Sequence, residues 1–180
     1  LKINTESKSV IILLGYMGSG KTTVGQQLAS SLSWVHVDLD DYIESNENWS
    51  ISKIMNEKGA IYFRKQEKKY LEALLASSKQ TVISLGGGTP CYHDNMKSIQ
   101  EAPSCTSIYL RANVPFLTDR LFPEKNHRPL IASTTSKEDL ASFIGKHLLE
   151  RAAFYEMADF TVDIKGKSPE HIADEITRLG

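Results

Sequence analysis

Residues 15–22, GYMGSGKT, fit the pattern GxxxxGK[ST]. Gly15, Gly18 and Gly20 let the backbone wrap with its N–H groups turned inward. Lys21 adds an ammonium that can bridge the β- and γ-phosphates of a nucleotide, and the Thr22 hydroxyl is a ligand for Mg²⁺. The pattern carries this meaning when a buried strand precedes it and a helix follows. Residues 9–14 (SVIILL) are a continuous apolar run of strand length. From residue 21 to 33, Val24, Leu28 and Leu32 recur on one helical face. A nucleoside triphosphate is therefore expected here, with Gly15, Gly18, Ser19, Gly20, Lys21, Thr22 and Thr23 around its phosphates and the helix N-terminus adding partial positive charge.

Two uses of that nucleotide compete. A regulatory GTPase needs a DxxG switch and, later in the chain, an NKxD-type guanine reader. The nearest echoes, DIKG at 163–166 and SKED at 136–139, come in the wrong order, and the second opens a helix instead of following a strand. A small-molecule kinase needs an acceptor pocket beside the γ-phosphate, groups that hold the acceptor hydroxyl in line, and cations for the migrating charge. Asp38 and Asp40 lie two residues apart, so in extended chain they would face one way, one supporting Mg²⁺ and the other facing an acceptor. An acidic helix cap is the plainer use of such a pair. Gly86, Gly87 and Gly88 are poor strand residues that allow close backbone approach to a ligand. No acidic residue ends their strand, so metal support is expected from Asp38. Arg64, Arg128 and Arg151 are candidate anion contacts, although each alone reads better as a surface arginine.

These groups must be positioned by an alternation of strands and helices. Strands are expected at 9–14, 34–38, 80–85, 105–110 and 160–164. Helices are expected at 21–33, 40–46, 50–58, 60–77, 94–101, from Asn113 to about 122, from Ser136 to about 158, and after the Ser168-Pro169 cap to about 178. Residues 123–135 break the pattern with prolines and small polar residues, which suggests a mobile lid. The alternation is that of a three-layer α/β/α domain with a parallel sheet and ligands at the C-terminal strand ends. The 180 residues suit one domain.

Composition excludes some classes. Twenty-one basic against 22 acidic residues give a net charge of −1, which argues against a protein that coats nucleic acid or a polybasic membrane binder. The longest aliphatic run, residues 10–14, is too short to span a bilayer, and no secretory signal is expected ahead of it. A cytoplasmic location follows as an expectation, as do reduced thiols at Cys91 and Cys105, although a disulfide is formally possible. Residues 1–8 are polar and expected to fray.

Taken in order, GYMGSGKT, VDLDDYIE, the Phe63-Arg64 of AIYFRKQE, SLGGGTP, HRPLI and ERAAFYEMAD closely resemble shikimate kinase over about residues 10–178. The resemblance implies a P-loop, nucleoside-monophosphate-kinase-like fold with a five-stranded parallel sheet, a substrate-binding segment at about 38–65 and a lid at about 121–136. It implies transfer of the γ-phosphate of ATP to the 3-hydroxyl of shikimate, on the route to chorismate and aromatic amino acids. It gives Thr22 and Asp38 the Mg²⁺, and Asp40 the acceptor hydroxyls and the reacting proton. Arg64 and Arg151 receive the carboxylate, Gly86, Gly87 and Gly88 the pocket wall, and Arg128 the transferred phosphate. Arg120 and Pro169 flank the adenine. A monomer working on ATP and shikimate, with no nucleic acid or membrane partner, is expected. Thr89-Pro90 depart from the family's pattern, where a smaller residue is common, and the lid stretch is variable. The alternatives are a related kinase acting on gluconate or a nucleoside monophosphate, and a non-catalytic nucleotide-binding relative.

Overall fold

The computed structural model describes residues 10–103 and 105–179, so the expectation for residues 1–8 and the start of the first strand at Ser9 lie outside the described residues. The chain runs β1 (Val10–Leu14), α1 (Lys21–Leu32), β2 (Val35–Asp38), α2 (Leu39–Glu47), α3 (Ile51–Ser77), β3 (Thr81–Ser84), α4 (Asn95–Glu101), β4 (Cys105–Arg111), α5 (Val114–Leu121), α6 (Lys137–Tyr155), β5 (Phe160–Asp163) and α7 (Pro169–Ile176). Short 3₁₀ turns cover Thr89–Cys91 and Phe122–His127.

The five strands form one sheet in the order β2-β3-β1-β4-β5, and every pairing is parallel. Burial explains the order. β1 is VIILL with every residue buried, and β3 is buried throughout, so both need cover on two faces and take interior places. β2 and β5 expose part of their length and form the edges. Ile12, at the centre of β1, is fully buried; truncation to alanine there costs about 2–5 kcal/mol by the usual cavity effect. Helices flank the sheet, with α1 packed on α7, α2 on α3 and α5 on α6.

Most element boundaries match the sequence reading within about two residues, inside the usual fraying uncertainty. Two differences are informative. The helices expected at 50–58 and 60–77 join as α3, kinked at Gly59, whose φ of 82° and ψ of 167° leave the helical region. The lid stretch is not fully irregular, because Phe122–His127 forms a 3₁₀ turn. Cys91 and Cys105 form no disulfide with each other.

Parallel order places the C-terminal ends of β1, β2 and β3 side by side. They deliver, respectively, the glycine-rich loop, Asp38 and residues 86–88.

Candidate active site

The loop after β1 must turn sharply against β4. A Cβ on Gly15 would stand 2.7 Å from the Leu110 carbonyl oxygen, and its φ is +143°, so glycine is required. Gly18 and Gly20 also have positive φ. Among described helices of eight residues or more, α1 alone starts without a side-chain cap. Asp38, Ser50, Asn113, Ser136 and Ser168 cap the others. The first turn of α1 therefore keeps N–H groups available to an anion. The Ser19 hydroxyl is buried and has no hydrogen-bond partner among described residues.

Lys21 is buried, and its Nζ donates to the Gly15 and Tyr16 carbonyls at 2.9 Å each. Burial lowers its pKa to about 8, with Asp40 and Asp38 opposing the shift and Arg128 adding to it. Ser84, the last residue of β3, donates to the Lys21 carbonyl at 3.0 Å, which ties the start of α1 to the sheet.

Asp38 and Asp40 do face the same cavity, although not as two residues of one extended strand. Asp38 ends β2 and caps α2, accepting from the Asp40 N–H at 3.0 Å, while Asp40 lies in the first helical turn. The cap and the chemical use thus coexist in Asp38. Its other oxygen accepts from the Thr22 hydroxyl at 2.7 Å. These two hard oxygen donors fit Mg²⁺, which takes one or two protein oxygens and completes its shell with phosphate and water. Asp40 has its pKa raised to about 6, first by burial and then by the charges of Asp38 and Glu67, against the pull of Lys21 and Arg64.

The glycines form a wall between these groups and the arginines. A Cβ on Gly86 would come within 2.9 Å of Asp40 Oδ1. One on Gly87 would come within 3.2 Å of the Met17 backbone N, and one on Gly88 within 2.8 Å of Arg64 Nη2. Side chains at these positions would push apart the two sides of the site. Arg64 is not part of a solvated helical face. Its Nη1 donates to Glu67 Oε2 at 2.6 Å, and its guanidinium sits 4.0 Å from the Tyr92 ring centroid. Arg151 Nη1 approaches the Gly87 carbonyl at 3.4 Å, and the buried Tyr155 hydroxyl donates to the same oxygen at 2.6 Å.

A cavity of about 360 Å³ is lined by Lys21, Thr22, Thr23, Asp38, Asp40, Gly86, Gly87, Arg120, Glu124 and Arg128, with Gly18 and Gly20. Arg64, Gly88 and Arg151 do not line it; Gly88 is the far end of the glycine wall, with Arg64 against it and Arg151 at the Gly87 carbonyl. Arg128 is held by Glu124 at 2.7 Å on the cavity rim. Arg120 and Pro169 share a smaller cleft with Phe116, Ile164 and Lys167, which adjoins the loop at Gly20 and Thr23.

Sequence reasoning missed the residues that support the others. Glu67 and Tyr155 read as ordinary helical residues with no assigned role, although they lie in the segments AIYFRKQE and ERAAFYEMAD. A signal did exist for both: Glu67 is three residues after Arg64 and Tyr155 four after Arg151, spacings that share a helix face. Tyr92 and Ser84 carried no signal beyond proximity to the glycines.

This arrangement has counterparts. The family model described as Shikimate kinase matches residues 17–179. A shikimate kinase of Flavobacterium johnsoniae is 40% identical over 166 residues, covering 92% of this chain and 95% of its own. The crystal structure of the enzyme from Bacteroides thetaiotaomicron superposes with a TM-score of 0.83 at 32% identity, covering 95% of this chain and 96% of that one. One from Acinetobacter baumannii, in complex with shikimate, gives 0.82 at 30% identity, with 95% and 92% covered. With its cradle, wall and arginines in this order on this sheet, the chain belongs to the shikimate kinase family.

Proposed function

We propose that this chain transfers the γ-phosphoryl group of ATP to the 3-hydroxyl of shikimate, giving shikimate 3-phosphate and ADP. The observation that carries the reading is the shared glycine wall. One side of Gly87 meets the phosphate loop at Met17, and its carbonyl meets Arg151 and Tyr155. A phosphate donor and a carboxylate-bearing acceptor on the two sides would be neighbours. Family membership and the shikimate complex of the Acinetobacter relative support the acceptor.

The roles follow from the geometry. The phosphate loop and the uncapped end of α1 bind the triphosphate, and Lys21 leaves its loop carbonyls for the β- and γ-phosphates. Thr22 and Asp38 would hold Mg²⁺, which neutralises charge on the phosphates when bound. Gly20, Thr23, Arg120 and Pro169 border the cleft that suits the adenine side. Arg64 and Arg151 clamp the acceptor carboxylate, a task suited to planar forks of donors. Asp40 orients the acceptor hydroxyl and takes its proton late in a loose transition state. Arg128, released from Glu124, turns to the transferred phosphoryl as the lid at about 121–136 closes and excludes water. Residues from about 38 to 65 act as the substrate-binding segment within a single domain, working as a monomer. No helix among the described residues is long and apolar enough to cross a membrane.

A coupled assay for ADP release tests the reading. Run with shikimate, gluconate and nucleoside monophosphates, it should respond to shikimate alone. A stronger response to either other acceptor would reassign the substrate, and no response to any of them would leave a nucleotide-binding protein without transfer activity.

A further inference from the structure

The Thr89 hydroxyl is fully buried against the site. It donates to Glu67 Oε1 at 2.6 Å, while Glu67 Oε2 accepts from Arg64 at 2.6 Å. We propose that Thr89 is a positioning residue for the acceptor's carboxylate, fixing Glu67 so that Glu67 fixes Arg64. The proposal rests on the reading of Arg64 as half of a carboxylate clamp.

Glu67 is 1% exposed, and a buried carboxylate needs donors for both of its oxygens. Guanidinium and carboxylate otherwise tend to pair through two parallel hydrogen bonds. The Thr89 proton occupies one Glu67 oxygen, so a single oxygen is left for Arg64. Arg64 then keeps most of its five N–H donors for a ligand. Without the hydroxyl, the carboxyl group turns about its soft terminal torsion and offers both oxygens to Arg64, drawing the guanidinium toward α3 and away from Gly88.

Thr89 is itself held in place. Its N–H donates to the Gly86 carbonyl at 3.1 Å, and its carbonyl accepts from Asn95 Nδ2 at 2.8 Å. A Cβ on Gly86 would meet the Thr89 hydroxyl at 3.1 Å and Asp40 Oδ1 at 2.9 Å. The same threonine thus sets the spacing between the arginine that would hold the carboxylate and the aspartate that would hold the hydroxyl.

The test is steady-state kinetics on the full chain. Thr89→Val keeps the shape and removes the donor, while Thr89→Ser keeps the donor. Thr89→Val should raise KM for shikimate about tenfold, the loss expected for a hydrogen bond to a charged group. KM for ATP and kcat should stay within about twofold, and Thr89→Ser should restore KM for shikimate to within about twofold of the parent. In an Arg64→Ala background, Thr89→Val should add nothing further, because the effect runs through Arg64. Thr89→Ala, which also removes the donor, should repeat the KM effect if the valine variant folds poorly. An unchanged KM in both the valine and alanine variants, a serine variant as impaired as valine, or a full added effect in the Arg64→Ala background would each overturn the role. A parent chain that does not phosphorylate shikimate would contradict the proposed function instead, so the two failures are distinct.

Discussion

On the proposed nucleotide side of the glycine wall, eight consecutive residues would supply the loop, the lysine and the metal hydroxyl, and the main chain would do most of the binding. On the proposed acceptor side, Asp40, Arg64 and Arg151 come from α2, α3 and α6; Arg64 is held by Glu67, which also accepts from Thr89, and Arg151 shares the Gly87 carbonyl with Tyr155. The difference follows from the ligands. A polyphosphate is satisfied by backbone N–H groups and a helix end, which one strand-loop-helix unit provides. A small carboxylated polyol needs a few donors at fixed separations, and only packed elements can fix separations between distant parts of a chain. Damage on the first side should therefore reach catalysis directly. Damage on the second should reach acceptor affinity first, except at Asp40, which would take the reacting proton.

The largest expected effect is on the nucleotide side. Lys21→Ala should lower kcat by about 10³-fold or more, as when a cation that stabilises the transferred charge is removed, while shikimate still binds. Near-normal turnover of this variant would remove Lys21 from the chemistry. Asp40→Asn comes next, with kcat lower by about 10²- to 10³-fold and nucleotide affinity unchanged in calorimetry, the range expected for loss of a general base. A fast Asn variant would show that the carboxylate is dispensable.

The pH profile separates these two groups. In the free protein, Asp40 ionises near 6 and Lys21 loses its proton near 8. A plot of kcat/KM for ATP should rise through about 6 and fall through about 8. Asp40→Asn should erase the acid limb, and saturating ATP should move the alkaline limb of kcat upward, because phosphate charge favours the ammonium. Stability responds with a definite sign. The raised pKa of Asp40 gives a stabilising contribution below about 4 that is lost as the pH rises through about 6. Asp40→Asn should then raise the Tm of the ligand-free protein at pH 7.5 by a few degrees, about 1–3 kcal/mol, and the gap should close toward pH 4. A gap independent of pH would mean that charge burial at Asp40 is not its cause.

The smallest effect should come from Arg151→Ala, a loss of shikimate affinity of about 1.5 kcal/mol, the low end for a charged hydrogen bond. Its 3.4 Å contact to Gly87 is long, and Tyr155 still holds that carbonyl. An equal loss of ATP affinity would place Arg151 on the wrong side of the wall.

The two sides also differed in how readily the sequence disclosed them. The cradle could be read because its function lies in contiguous residues whose order implies their geometry, and the buried run of β1 and the helical spacing of α1 supplied the context. The strand order of the sheet was not readable in that way, although the buried or exposed character of each strand agrees with it. On the acceptor side, Arg64 and Arg151 are candidate anion contacts, but their carboxylate role comes from the family resemblance, since each arginine alone reads as a surface residue. Asp38 and Asp40 were recognised, but their common direction was ascribed to extended chain when it comes from a strand-to-helix junction. Glu67 and Tyr155 escaped because their only signal, a shared helix face with Arg64 and Arg151, is common to many helical residues until the fold places them against what they support.

The central claim is that two ligands meet across one glycine wall, with separate groups on each side. Calorimetry of Arg64→Ala tests it most directly, with shikimate and a non-hydrolysable ATP analogue titrated separately. The account predicts shikimate affinity lower by about 1.5–3 kcal/mol and analogue affinity within about 0.5 kcal/mol of the parent. Equal losses for both ligands, or undiminished shikimate affinity, would contradict it.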